Sequence, residues 1–360
     1  MNVIYDLVPD NNRQHLPVDQ SSLGFGKLRT DHMFVADYYG GDWHDARIVP
    51  YAPFSIQPGA VALHYGQTIF EGGKAFLHDD GELYIFRYDQ NISRLNSSAE
   101  IICMPAVPES LHWEGIYRLL DTERHWCPTA PQSSMYIRPF MFATSDNLAV
   151  HASTKYTFCI MVSPSGPYYT GGFSNTVNLL ISSTYHRAVA GGTGEAKTGG
   201  NYAASLRATE AARAKGCGQV LYLDATNTYV EEAGAMNHFH VLKDGTFIIP
   251  RFNGTILRSI TSRSVLELAD MGRLPAKQEK IALKDLIAGI RSGEVIEAGG
   301  FGTAAVVSPV GKYIFEDGTE LPIGDGKPGK FSTALYSMYT GFQTGDVPAP
   351  EGWLQKVPRY

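Results

Sequence analysis

One lysine set among small residues constrains this chain more than any other feature. Gly191-Gly-Thr-Gly-Glu-Ala-Lys197-Thr-Gly-Gly-Asn-Tyr202 runs into an alanine-rich helical pattern, Tyr202 to Lys215, that Gly216 should end. A lysine so placed is either solvated in a flexible loop or a nucleophile. For the second role the amine must be neutral when it attacks a carbonyl, which calls for desolvation or a nearby positive charge. Small neighbours would let a bulky planar group approach, and Tyr202 could supply a phenol beside it.

The segment also imitates a phosphate-binding G-x-x-x-x-G-K-[ST] loop, with Ala196 where the second glycine belongs. Gly199-Gly200 is expected to interrupt the run into the helix, and Ala196 lacks glycine's freedom at positive φ. Both count against a P-loop nucleotide-binding protein.

The 360 residues are 44% hydrophobic and 18% charged, as in an ordinary globular protein. A net charge of −6 and a pI near 6.0 exclude nucleic acid as a bulk partner. Met1 to Pro9 does not read as a signal peptide, and no stretch approaches the ~18 apolar residues of a membrane helix. Cys103, Cys127, Cys159 and Cys217 form no C-x-x-C and no metal-ligand spacing, so reduced core thiols, a cytoplasmic protein and no metal are expected. His238-Phe-His240 alternates like a strand.

The pattern is α+β. Strands are expected at His32 to Tyr39 and Arg47 to Ile56, then from Ala60 to Phe76, with a hairpin to Glu82–Tyr88 across Asp79-Asp-Gly81. Asp89 is expected to cap a helix reaching about Cys103. A second helix spans Leu111 to Trp126, and buried strands Met135 to Ala143 and Tyr156 to Val162. Residues 1–163 thus form a small α/β domain and 164–176, rich in Gly, Pro, Ser and Tyr, a connection. The larger domain, 177–360, carries strands Val177 to Ser182 and Gln219 to Leu223, a hairpin Asn237 to Ile249, a helix from Ser259 to Gly272, helix Leu283 to Arg291, glycine-punctuated β from Val295 to Phe315, and a last helix, Ser332 to Phe342.

Several residues in this frame invite chemistry. Tyr136 and Arg138, two apart, share a strand face, and an arginine in an apolar strand needs an anion. Arg94, on a helix suited to the core, needs one too. Ser259, Thr261 and Ser262 at a helix start make either a phosphate seat or a simple cap. Glu232, in an apolar run, points to a buried partner, while Glu71 and Lys74 alone would pass for a surface pair beside a turn.

Taken together and in order, Leu63-His-Tyr65-Gly66, Phe70-Glu-Gly-Gly-Lys-Ala-Phe76, Tyr136-Ile-Arg-Pro139, the Gly191–Tyr202 segment, Glu232-Ala-Gly-Ala-Met-Asn237 and Gly302-Thr-Ala304 resemble the class IV, fold type IV, pyridoxal-phosphate aminotransferases, most closely those of branched-chain amino acids. The likeness spans about Asp31 to Gln343. It implies a small α/β domain plus a larger pseudo-barrel domain, with pyridoxal 5'-phosphate where they meet. Lys197 is then similar to the Schiff-base lysine and proton shuttle, Tyr202 to the phenol at the cofactor's 3′ oxygen, and Glu232 to the acid at the pyridine nitrogen. Arg94, Ile260, Thr261 and Thr303 would hold phosphate. Tyr65, Phe70, Tyr136, Arg138 and Tyr168 would line the substrate pocket, and Gly302, Thr303 and Ala304 would take the α-carboxylate. The implied enzyme is a homodimeric transaminase for leucine, isoleucine or valine with 2-oxoglutarate; a D-amino acid aminotransferase or an aminodeoxychorismate lyase is the alternative within the fold. The chain departs from the family pattern at Ala235, His238, Ile249, Arg258-Ser259 and Ser262, and Ala305 and Ser308 stand where some animal members have a C-x-x-C.

Overall fold

The computed structural model describes residues 2–168 and 172–360. The chain forms two compact units: Met1–Tyr168 with Ala196–Gly200 and Gly341–Tyr360, and Tyr169–Glu195 with Asn201–Thr340. The linear division of the sequence assigned the lysine segment and the C-terminal tail to the second domain. Both pack with the first unit, because Thr198 bridges Ile69 and the tail strand Leu354–Lys356 pairs with Leu83–Phe86. Part of the expected connection, 169–171, lies outside the described residues.

The first unit is one sheet with helices. Its strands run in the order Ile4–Tyr5, Asp42–Pro50, His32–Tyr39, Tyr156–Ser165, Ser134–Ala143, Gly73–Leu77, Leu83–Phe86, Leu354–Lys356, and Thr68–Phe70 pairs separately with Ser134–Ala143. The helices Tyr88–Ile101 and Glu109–Thr122 bury apolar residues such as Ile92, Leu95, Ile116 and Leu119 in one core with Phe34, Phe158 and Ile160. Asp89 is not the cap that was expected. It lies inside the first turn, where its charge suits the helix N-terminus, and Arg87 holds the cap position at φ 51. The Arg87 guanidinium lies 4.3 Å from the Trp353 ring.

In the second unit, Val230–Ala233, Gln219–Leu223, Val177–Ser182, Val306–Phe315, Val295–Gly302 and Met236–Leu242 follow one another, and the last pairs back to the first through Glu232 and Asn237. The ring closes, so these strands have no free edge. This is the expected pseudo-barrel. Phe247–Pro250 and Ala276–Glu279 extend the sheet beyond Met236–Leu242, and the helix Leu283–Ser292 packs its Leu286 into the core with Leu221, Ile248 and Val295.

The helix after the lysine differs from expectation. It spans Gly199–Ala214, so Gly199 and Gly200 sit inside its first turn instead of breaking the approach to it. Among the described residues no helix is long and apolar enough to cross a membrane.

Phe158 is fully buried, with its ring edge-on to those of Phe34, Trp43 and His112. Phe158→Ala should destabilise the protein by about 3–5 kcal/mol, read as a lower midpoint in urea unfolding followed by tryptophan fluorescence.

Candidate active site

In the first unit, Lys197 is held by its backbone. Its N–H donates to Ser98 Oγ at 2.9 Å and its carbonyl accepts from Phe70 N–H at 3.0 Å. The next residue bridges Ile69, and Thr198 Oγ1 donates to Thr68 O at 2.7 Å. A lysine fastened on both sides has a fixed direction for its side chain, which a solvated loop does not provide. The same bonds tie the segment alongside Thr68–Phe70, and that pairing, not the glycines, is what sets it apart from a phosphate-cradling loop. Its amine lies 4.7 Å from the centre of the Phe70 ring.

Near Lys197 sits a buried ion pair. Glu71, fully buried, accepts from Arg94 through both oxygens, from Nε at 2.5 Å and Nη2 at 2.9 Å, and from Asn91 Nδ2 at 2.7 Å. Burial pushes the Glu71 carboxyl up, but the charge and hydrogen bonds of Arg94, with Lys197 and Asn91 behind them, outweigh it and hold the group below its ordinary value. The pair read from sequence as surface decoration is therefore interior, and the partner of Glu71 is Arg94. Lys74 is buried as well, and desolvation depresses it to about 8.

Arg138 lies among rings. Its guanidinium is 4.9 Å from the Phe70 centroid and 5.3 Å from that of Tyr136, and Nη2 donates to the Tyr136 hydroxyl at 3.1 Å. Its Nε is buried without a hydrogen-bond partner. Tyr136 owes its place to Gly72, where a Cβ would sit 2.1 Å from the phenol oxygen. Phe25, which sequence placed in a featureless loop, packs edge-on against both Tyr136 and Tyr168 and so ties Tyr168 to the group. Only its aromatic character between two glycines hinted at this. Tyr65 is 44% exposed on the short helix Val61–Tyr65, its hydroxyl donating to Leu148 O.

The second unit builds a separate arrangement around Glu232, which is 3% exposed. Its Oε1 accepts from Leu257 N–H at 2.7 Å and Asn237 Nδ2 at 3.4 Å, while Oε2 lies 3.2 Å from Arg187 Nε. Asn237 reaches Glu232 because the two are opposed in register, and its Oδ1 accepts from Ser262 Oγ at 2.9 Å. That serine stands in the first turn of the helix Ile260–Asp270, capped by Ser259. The carboxylate and the helix N-terminus, whose first N–H groups lack intrahelical partners, thus belong to one network. The departure at Ser262 puts a hydroxyl there as the link to Asn237.

The neighbouring Glu231 faces the other side of the strand and bonds Thr255 Oγ1, and burial pushes its carboxyl up despite that bond. Sequence reasoning missed Arg187, Ser98 and Asn91. Each sits in an unremarkable local context, and only the chain folding back gives it a partner. Tyr202 is half-buried in the first turns of Gly199–Ala214. Thr303 and Ala304 form the turn of the hairpin between Val295–Gly302 and Val306–Phe315. Directly after that turn Val306 has φ 63, a strained conformation for a β-branched residue and one common at functional turns.

Because Glu71 is held below its ordinary value of 4.5, the stability it contributes is fully present above that value and is lost as pH falls through its folded one. Glu71→Gln should cost about 3–5 kcal/mol at neutral pH by leaving Arg94 buried without its carboxylate. It should also flatten the acid side of the stability–pH profile, measured by urea unfolding at a series of pH values.

Known proteins share both this sequence pattern and this fold. Residues 68–313 match the family model for amino-transferase class IV. A probable branched-chain-amino-acid aminotransferase of Staphylococcus epidermidis is 45% identical over 344 residues, 95% of each chain. The branched-chain amino acid aminotransferase of Escherichia coli superposes with a TM-score of 0.74 at 26% identity, covering 91% of this chain and 99% of that one. A thermophile's branched-chain amino acid aminotransferase (source given as T.th.), solved with 4-methylvaleric acid and with N-(5'-phosphopyridoxyl)-L-glutamate, superposes with a TM-score of 0.71 at 27% identity, covering 90% of this chain and 98% of the other. Sequence match and fold agree: this chain belongs to the class IV aminotransferase family.

Proposed function

We propose that the chain transfers amino groups between branched-chain L-amino acids (leucine, isoleucine and valine) and 2-oxoglutarate. The observation that carries this reading is Arg138, a guanidinium set among the rings of Phe70 and Tyr136 with a buried, unpartnered Nε. Rings of this kind suit a branched apolar side chain. A carboxylate would not enter such surroundings unpaired, and Arg138 is the partner it would need. A transaminase of this type must take leucine and glutamate in turn in the same pocket. The thermophile's enzyme was solved with an apolar acid and with a glutamate adduct, in keeping with that demand.

The cofactor is pyridoxal 5'-phosphate, and the residues present fit it. The second unit offers a buried carboxylate and a helix N-terminus in one hydrogen-bond network; the first offers a lysine of fixed direction. When bound, the cofactor supplies a carbonyl for the amine and a ring that takes up the electron pair left at Cα. In the first unit we assign Lys197 as the attachment point and as the base that takes the proton from the substrate Cα and returns it on the same face. Arg94 contributes positive charge for phosphate. In the second unit Glu232 keeps a proton on the ring nitrogen, Tyr202 donates to the 3′ oxygen, and Ile260 and Thr261 with Thr303 bind phosphate through N–H and hydroxyl groups. The turn Gly302-Thr303-Ala304 binds the α-carboxylate, and Tyr65 and Tyr168 complete the pocket.

Leu63, Leu148 and Val150 are 60%, 69% and 81% exposed, and Tyr65 bonds Leu148. An apolar surface of this kind supports a homodimer. The four cysteines are free, and three are buried, in keeping with a reducing cytoplasm.

The purified protein should be yellow, and borohydride should fix the cofactor covalently to Lys197, as peptide mass spectrometry would read; label on another lysine overturns the assignment. With 2-oxoglutarate as acceptor, leucine, isoleucine and valine should outrun D-alanine and an aromatic donor, and a preference for D-alanine would sink the substrate assignment. Arg138→Met should slow the glutamate half-reaction by about 10- to 100-fold, the loss of a charge-assisted contact, and leave the leucine half-reaction within about threefold. Cofactor absorbance follows each half-reaction separately; an equal fall in both would make Arg138 structural.

A further inference from the structure

The Glu232 carboxylate is braced by an arginine that lies outside every motif of the family likeness. Arg187 has a side chain only 8% exposed, and its Nε stands 3.2 Å from Glu232 Oε2. From the same planar group, Nη2 donates to two backbone carbonyls, Gly194 O at 2.8 Å and Thr255 O. The two carbonyls converge because the chain segments touch there. A Cβ on Gly194 would lie 2.6 Å from Thr255 O and 2.7 Å from Thr255 Cα, so only glycine allows the approach.

The guanidinium is thus held twice, by an ion pair at Nε and by hydrogen bonds at Nη2, a rigid fork that lysine's single ammonium could not reproduce. The carboxylate it holds has an equally definite second oxygen, taken by Leu257 N–H and Asn237. Glu231, next along the strand, has no such brace: Oε1 meets Thr255 Oγ1 and Oε2 is buried without a partner. Of two adjacent buried acids, Arg187 therefore contacts one. Burial pushes the other's carboxyl up.

We propose that Arg187 is a positioning residue for Glu232, fixing the orientation of its carboxylate and making it the anionic member of the Glu231–Glu232 pair by bracing it against the Gly194 and Thr255 carbonyls. The proposal rests on the reading of Glu232 as the acid at the cofactor's ring nitrogen. It assigns Arg187 no contact with cofactor or substrate.

The test is cofactor binding to the apoprotein, free of turnover. Fluorescence titration compares pyridoxal 5'-phosphate with its 1-deaza analogue, in which the ring nitrogen is replaced by CH while the phosphate is unchanged. The wild-type protein should prefer the natural cofactor by about tenfold, the value of one charge-assisted hydrogen bond. Arg187→Met should abolish that preference while affinity for the analogue stays within about twofold, and Arg187→Lys, which keeps the charge but not the fork, should restore part of it. Equal weakening toward both cofactors is what a merely structural arginine produces and overturns the proposal, as does an undiminished preference in Arg187→Met. Absence of preference in the wild-type protein overturns the reading of Glu232 itself, and the proposal with it. If Arg187→Met does not fold, Arg187→Lys decides alone, and a full wild-type preference in it is the overturning result.

Discussion

The backbone of Lys197 is bonded on both sides, to Ser98 Oγ and to Phe70 N–H, and much of the first unit is arranged to make those bonds available. Ser98 faces the lysine from the helix Tyr88–Ile101, four residues after Arg94, whose carbonyl Ser98 also bonds. Phe70 ends the short strand Thr68–Phe70, and the next residue, Glu71, turns inward to meet Arg94. One helix and one strand end thus hold lysine, carboxylate and guanidinium in a fixed relation. Burying that much charge is costly unless each group is paired and hydrogen-bonded. Asn91 supplies the further donor that Glu71 needs.

The second unit solves a different problem, that of keeping an acid ionised inside an apolar strand. Strand closure puts Glu232 opposite Asn237, the chain before the helix Ile260–Asp270 brings Leu257 N–H, and Arg187 takes the remaining oxygen. The ring of strands makes this possible because closure leaves no edge, and all three donors come from rigid surroundings. Glu231 shows how local the solution is. Two identical side chains, one peptide apart, have opposite environments because a strand sends successive residues to opposite faces.

Much of the secondary structure was legible because local pattern and tertiary need agreed. Val177–Ser182 and Gln219–Leu223 are apolar runs that could only be buried strands, and they appear with the boundaries expected. The pattern was less informative at ends. Asp89 has the chemistry of a cap, yet the helix begins one residue earlier, with Arg87 in a left-handed conformation beside Trp353. Gly199 and Gly200 read as an interruption, yet they lie within a helix, since intrinsic propensity of about 1 kcal/mol per glycine is small beside tertiary contacts. Of the chemistry, the lysine, the Tyr136–Arg138 face and the Ser259 cap were visible in sequence. The partner of Glu71, the roles of Ser98 and Asn91, the packing of Phe25 and the clamp of Arg187 were not.

By itself, the sequence determined which groups exist and which repeat lengths they obey. It supplied a lone lysine among small residues, an arginine two residues from a tyrosine, and an acid in an apolar strand. Periodicity fixes faces, and composition excludes whole classes of partner. Only the tertiary structure decided which charges meet. Glu71 and Arg94 lie 23 residues apart, Ser98 and Lys197 are 99 apart, and Arg187 and Thr255 are 68 apart. Local pattern carries no information about pairings across such separations. They follow from strand order and from the close approach of backbones, and they alone turn scattered ionisable residues into groups of defined charge.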